Sequence, residues 1–324
     1  MLYPLTFEPI FHERVWGGRM LETLYAKPLP PGQCIGESWE IADRPGTASI
    51  ITNGPLVGHD LRWLMQNHAG DLLGDLPHNG RFPWLAKLLD AQADLSVQVH
   101  PPANVAAQLN SEPKTEAWFV SHADSDARLI AGLRPGVSRE TFEAQLGTVD
   151  FPLCLNELPV TAGDALFLPS GRLHALGAGT GVFEIQQNSD TTYRVYDWNR
   201  PGLDGQLRPL HLGEALQCID FDEVKPRLHT REYEPANNHA TRLIALAPEA
   251  FRLEHIQMKT DAAIVLPGEG VRIVAVTDGC LTLDGAGETL QLSSGQFALV
   301  PACLETTTTV VRGVDAQFLL TQAA

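Results

Sequence analysis

"GDALFLPSGRLHAL", residues 163–176, reads as a turn, a strand and a stop. Gly163 opens the turn, an inward-facing apolar strand follows, and Pro169 ends the hydrogen-bond ladder because it has no N–H to donate. The same order recurs in "GQFALVPACLETTT", residues 295–308. Both stretches run glycine, five residues, proline, so the chain is expected to hold two related β-halves. His174 follows Pro169 by five positions, whereas Thr306 holds the equivalent place after Pro301. If the halves share a fold, only the first has kept a polar lining.

Similar short runs lie on either side. "SIITN", "LSVQVH", "EAWFVS", "ARLIAGL" and "VFEIQQ" read as strands, as do "RLIAL", "RIVAV", "CLTLDG" and "FALVP". They are rich in β-branched or aromatic residues and bounded by Gly, Pro, Asp or Asn. Apolar residues at three- and four-residue spacing predict helices over 59–74, 103–110, 138–147 and 212–219. Many short strands with Gly/Pro turns and few helices predict a mainly β protein, a sandwich or barrel with inserted helices. Beyond Ile219 the chain becomes polar and loses periodicity. A boundary near residue 235 is expected, dividing the sequence into 1–235 and 236–324.

The 324 residues can bury a large core, and 44% hydrophobic with 19% charged residues argues against disorder. No apolar run reaches the ~20 residues that span a bilayer, and the N-terminal stretch lacks the pattern of a signal peptide. Five scattered cysteines without a CxxC pair point to a reducing cytoplasm rather than a disulfide framework. The net charge of −16, with no Lys/Arg cluster, makes nucleic acid an unsuitable partner. An anionic substrate would need locally placed cations.

Four residues of the first half can form a site. In "DLSVQVHPPANV", residues 94–105, Ser96, Gln98 and His100 alternate with Val97 and Val99 and therefore share a face. Glu116 alternates with Trp118 in "TEAWFVS", and His174 closes the Gly163–Pro169 unit. Two imidazoles, a carboxylate and an amide oxygen suit a borderline divalent ion such as Zn²⁺ with an open position. Each also has a plainer reading, as a surface histidine, a solvent-facing charge or an edge-strand amide, and spacing alone does not choose.

The residues Gly163, Pro169, Gly171 and His174 resemble the second cupin motif, G-x5-P-x-G-x2-H, with Ala178 where the motif ends in Asn. "QVH" occupies the H-x-H slot of the first cupin motif, Gln98 replacing a histidine. Together with "PIFHERVWGGRML", "IGESWEIAD", "LLDAQADLSVQVHP", "KTEAWFV" and "EIQQNSDTTYRVYDWNR", this pattern resembles the type I phosphomannose isomerase family in its shorter bacterial form. The similarity runs in order from residue 9 to 200 and is loose beyond. It implies cupin-type jelly-roll sandwiches: a catalytic half, and a C-terminal half without metal ligands. It further implies one Zn²⁺ per chain on Gln98, His100, Glu116 and His174, and a hexose 6-phosphate substrate. Arg194 is implied as a catalytic cation, Glu184 as an acid/base, and Lys87, Ser96 and Lys114 as the rim.

Several of these residues also admit a plainer role. Lys87 could snorkel to solvent, Lys114 could merely partner Glu116, and Arg194 could be bound to Asp190 or Asp197. "WGG" (16–18) by itself means an aromatic before a flexible turn, and Glu37 and Glu40 could face the pocket or water. The resemblance implies that mannose 6-phosphate and fructose 6-phosphate interconvert through an enediol, which needs a base and preorganised positive charge. A zinc-bound water or Lys114 could replace Glu184 as the base. A non-haem iron oxygenase or a non-catalytic sugar-phosphate-binding cupin are the rival readings, and sheet edges allow a monomer or a homodimer.

Overall fold

The computed structural model describes residues 2–222, 226–247, 250–260, 262–267, 269–304 and 310–324. Most of the regular structure is antiparallel strand. A six-stranded sheet runs, in spatial order, Ile10–Gly18, Ile35–Ile41, Trp84–Ala91, Thr180–Gln187, Glu116–Ala123 and Ala165–Leu168. A five-stranded sheet runs Tyr193–Tyr196, Val97–Val99, His174–Leu176, Arg128–Leu133 and Leu155–Pro159. Leu89, Trp118, Val120, Leu166 and Val182 of the first interlock with Leu129, Ala131 and Leu176 of the second. That contact makes a sandwich of two open sheets, and the polar site lies at one end of it.

The other face of the six-stranded sheet is also covered. Leu88, Ala117, Phe119, Phe183 and Ile185 share one apolar cluster with Ile244, Phe251, Leu253, Ile273, Phe297 and Leu319. Those partners belong to a third sheet whose described strands all lie between Glu234 and Gln322. The chain's start joins in, with Leu5 bridged to Leu299. A sheet buried on both faces need not alternate, which explains "WLAKLLDA". All eight residues of Trp84–Ala91 are buried, so this central strand has no period-two pattern and escapes a reading based on alternation.

Both copies of the glycine–proline unit adopt the expected form. Gly163 and Gly295 have φ of +91° and +80°, and the strands Ala165–Leu168 and Phe297–Val300 end just before Pro169 and Pro301. Thr306 lies outside the described residues. The helix expected over 59–74 divides into Leu61–Asn67 and Ala69–Leu73, the first capped by Asp60, whose side chain accepts from Trp63 N at 2.7 Å. Ala103–Gln108, Arg139–Gln145 and Leu212–Cys218 fall within the other predicted helices. "SIITN" makes only isolated bridges at Ile50 and Ile51. No helix among the described residues is long and apolar enough to cross a membrane.

"WGG" is a close crossing rather than a flexible turn. It ends the strand Ile10–Gly18, and a Cβ on Gly17 would fall 2.3 Å from the Gly36 backbone nitrogen. Neither backbone can yield without breaking the edge of the sheet. Gly17→Ala is therefore expected to cost at least 1–3 kcal/mol, on the order of an overpacked core substitution. The midpoint of denaturant unfolding measures it, and an unchanged midpoint would show that the crossing relaxes freely.

Between the sheets, His255 is buried against Phe119, with ring centroids 4.5 Å apart. Its nitrogens meet Tyr233 Oη at 2.7 Å and Thr277 Oγ1 at 3.0 Å. Burial, then the nearby Arg242 charge, pushes its pKa down to about 3. The unfolded chain binds this proton below about pH 6.5 and the folded chain does not, so stability falls as pH drops from there toward 3. In His255→Gln, which cannot titrate, the dependence of Tm on pH between 6.5 and 4 should flatten. An identical slope would remove His255 from the acid response.

Candidate active site

Strand pairing explains why polar side chains collect at one end of the sandwich. Val97 and Val99 point outward into a cluster with Ile130, Phe142, Phe151 and Ala175. Ser96, Gln98 and His100 consequently point inward. Gln98 pairs with His174 on one side and with Arg194 on the other, and directly paired residues share a face. The row Arg194–Gln98–His174 thus crosses three strands of the five-stranded sheet. The facing sheet presents a second row. Glu116 lies opposite Gln186, Trp118 opposite Glu184, Glu184 opposite Lys87, and Lys87 opposite Trp39.

The two rows meet at a buried carboxylate. His100, Glu116 and His174 are 2%, 0% and 1% exposed, and their ligand atoms all lie within 4.8 Å of one another. His100 Nδ1 donates to the Thr191 carbonyl at 2.9 Å, and His174 Nδ1 to the Arg172 carbonyl at 2.8 Å. Because a carbonyl only accepts, each ring turns its Nε2 inward, to 3.3 and 3.2 Å from the two Glu116 oxygens. Burial, then the Lys114 charge, pushes the His100 pKa down to about 3, so this imidazole is neutral near pH 7. Burial alone would raise the Glu116 pKa, but the Lys114 charge holds it well below the usual carboxylate range.

An imidazole lone pair thus faces an ionised carboxylate, and His100 Nε2 and both Glu116 oxygens are buried without a hydrogen-bond partner. Lys114 Nζ comes to 2.9 Å of Glu116 Oε2, but off the hydrogen-bonding direction. Orphaned acceptors converging on one point could hold a cation, and these residue types fit a divalent metal. Gln98 Nε2 lies 3.4 Å from His174 Nε2, and turning the amide would present its carbonyl oxygen instead.

Gln98 and Lys114 line a cleft of about 570 Å³, together with Lys87, Ser96, Glu184 and Arg194. Six of the nine residues singled out in the sequence thus line this cleft, and the other three, His100, Glu116 and His174, form the buried group beside it. Lys87 is buried rather than snorkelling, 3.0 Å from Glu184 and 3.7 Å from Glu37. Although burial works the other way, these carboxylates raise its pKa. Glu184 also accepts from Trp118 Nε1 at 2.8 Å. Arg194 donates to Ser96 Oγ at 3.3 Å and to the Pro209 carbonyl at 2.9 Å. Burial, then Arg208, lowers its pKa.

Neither Asp190 nor Asp197 pairs with Arg194: Asp197 is taken by Arg208 at 2.6 Å and Arg200 at 3.1 Å. The sequence left Glu37 open. It lines the cleft, bound to Arg14 at 2.7 Å and Trp39 Nε1 at 2.8 Å, while Glu40 is buried in an ion pair with Lys27 at 2.7 Å. Trp16, Arg14, Asp204 and Arg208 line the cleft too, as do the carboxylates of Glu13 and Asp190. The alternation of "ESWEI" placed Glu37 beside Trp39. Nothing local marked Asp204, on the loop bridged at Pro201 and Leu207, or Arg208, just after it.

Fold and site together define a β-sandwich with a buried His–Glu–His group that could hold a metal ion, beside a cleft lined by both cationic and acidic side chains. Residues 5–116 match the description "Phosphomannose isomerase type I, catalytic domain". The mannose-6-phosphate isomerase ManA of Bacillus subtilis (strain 168) is 39% identical over 236 residues, 71% of this chain and 72% of that one. A crystal structure of the mannose 6-phosphate isomerase from Bacillus subtilis superposes with a TM-score of 0.89 and 28% identity, covering 99% of this chain and 100% of the other. A mannose 6-phosphate isomerase bound with zinc and yttrium, at 18% identity and a TM-score of 0.80 over 99% of both chains, shares the fold. The chain belongs to the type I phosphomannose isomerase family and is an isomerase of cupin fold.

Proposed function

We propose that the protein is a zinc-dependent aldose–ketose isomerase interconverting mannose 6-phosphate and fructose 6-phosphate. The observation that carries this reading is the meeting of orphaned metal-type donors with a cleft lined by Lys87, Lys114 and Arg194. His100, Glu116, His174 and the carbonyl oxygen of Gln98 would hold one Zn²⁺ per chain. When bound, the ion supplies Lewis-acid polarisation of the sugar's carbonyl or hydroxyl oxygen without redox chemistry. The relatives' names and the zinc in the more distant isomerase support the same reading.

The chain's own groups would do the rest. Glu184 takes the proton from C2 of the aldose and returns it to C1, while the hydroxyl proton passes from O2 to O1, so the reaction is balanced without any co-reactant. Lys114 is the second candidate for that base. Arg194 directs its remaining donors at the enediolate or the phosphate, where a planar fork matches paired oxygens. Ser96 holds the Arg194 guanidinium, and Lys87 steadies Glu184. Residues 1–235 would carry the chemistry, with 236–324 as a scaffold behind the six-stranded sheet.

A dianionic hexose 6-phosphate, no nucleic acid, and a monomeric or homodimeric chain in a reducing cytoplasm complete the proposal; all five cysteines are free thiols. A coupled assay for fructose 6-phosphate tests it. The zinc-loaded protein should turn over mannose 6-phosphate faster than other hexose phosphates. Folded, zinc-loaded protein that leaves mannose 6-phosphate untouched would refute the reading.

A further inference from the structure

The tandem glutamines of "EIQQNSDTTYR" lie outside the walls of the cleft, yet both tie into the residues behind it. Gln186 is fully buried and pairs directly with Glu116 across the sheet. Its Nε2 donates to the Gln187 carbonyl at 2.8 Å and to the Ser189 carbonyl at 2.6 Å. Two acceptors on one side fix which end of the amide is nitrogen. Ser189 is buried too, its Oγ donating to the Glu112 carbonyl and accepting from Thr191 N, both at 3.2 Å. Thr191 then supplies the carbonyl that receives His100 Nδ1 at 2.9 Å. The Gln186 amide therefore pins the turn that sets the His100 ring.

Gln187 faces the other way and uses its other end. Its Oε1 accepts from Thr115 N at 2.9 Å, while its own backbone N donates to the Thr115 carbonyl at 3.0 Å. Thr115 is the residue between Lys114 and Glu116.

We propose that Gln186 and Gln187 are positioning residues of the metal centre, Gln186 orienting His100 through the Ser189–Thr191 turn and Gln187 orienting Glu116 through Thr115. This inference rests on the metal reading above. Because one amide works through its NH₂ and the other through its carbonyl, the same substitution separates them. Gln186→Glu removes both donors and sets a carboxylate against two carbonyls. Gln187→Glu keeps an acceptor for Thr115.

Zinc affinity by competition with a chelator, and the visible spectrum of the cobalt-loaded protein, read the effect without any sugar. Gln186→Glu should weaken zinc by about 10–100-fold and change the cobalt spectrum, as loss of a group orienting a ligand typically does. Gln187→Glu should stay within about threefold of wild type, whereas Gln187→Leu should lose about tenfold. Ser189→Ala, a milder change at the same turn, should lose about tenfold and keeps the test open if Gln186→Glu fails to fold. Wild-type affinity in folded Gln186→Glu or Ser189→Ala would overturn the positioning role alone. Equal losses in Gln186→Glu and Gln187→Glu would also overturn it, since the effect would then not depend on which end of each amide is used. A wild-type protein that takes up no metal would overturn the metal reading and this role with it.

Discussion

Glu116→Gln is expected to lose bound zinc and about 10³-fold or more in kcat/KM, the largest single effect on this chain. The substitution keeps volume and shape, removes the charge and turns one acceptor oxygen into an N–H donor. Glu116 is the one carboxylate among the candidate ligands, and its oxygens are the point where both Nε2 atoms converge. Lewis-acid stabilisation is worth several kcal/mol in a site of this kind, and each 1.36 kcal/mol is a factor of ten in rate. The Lys114 ammonium, 4% exposed and 2.9 Å from Glu116, would also lose its counter-charge, so some loss of thermal stability should accompany the loss of metal. Metal content, melting temperature and turnover measured on one preparation separate these effects. Full turnover in a Glu116→Gln chain would remove the carboxylate from the mechanism.

Arg194→Ala is expected to lower kcat by about 10²–10³-fold, the typical loss when one preorganised donor to a developing oxyanion is removed. The guanidinium is suited to that task because its environment does not neutralise it. Among the described residues no carboxylate lies within salt-bridge distance of it, and it is steadied by a serine hydroxyl and a carbonyl instead. Arg194→Lys should recover little, since an ammonium keeps the charge but loses the fork. A rise in KM with unchanged kcat would assign Arg194 to holding the phosphate, and an unchanged kcat/KM would take it out of the site.

The parts of this protein that could be read from its sequence are those whose logic is local. Alternation in "SVQVHP" put Gln98 and His100 on one face, and the pairing of Gln98 with His174 and Arg194 bears out that face as the inner one. The glycine–proline unit located His174 and the second half's matching strand. What could not be read depends on partners distant in the chain. "WLAKLLDA" hides its strand because the third sheet covers its second face. Lys87 within it is buried because Glu184 and Glu37 come from two flanking strands, which no spacing reveals. The histidine tautomers follow from carbonyls of Thr191 and Arg172 in connecting segments, where side-chain pattern carries no signal.

The central claim is that His100, Glu116, His174 and Gln98 hold the ion on which isomerisation depends. Titrating zinc back into chelator-treated protein, with bound metal and mannose 6-phosphate turnover followed together, tests it most directly. Activity should start near zero, rise in proportion to bound zinc, and level off at one ion per chain. Full turnover in protein verified to be free of metal would contradict it.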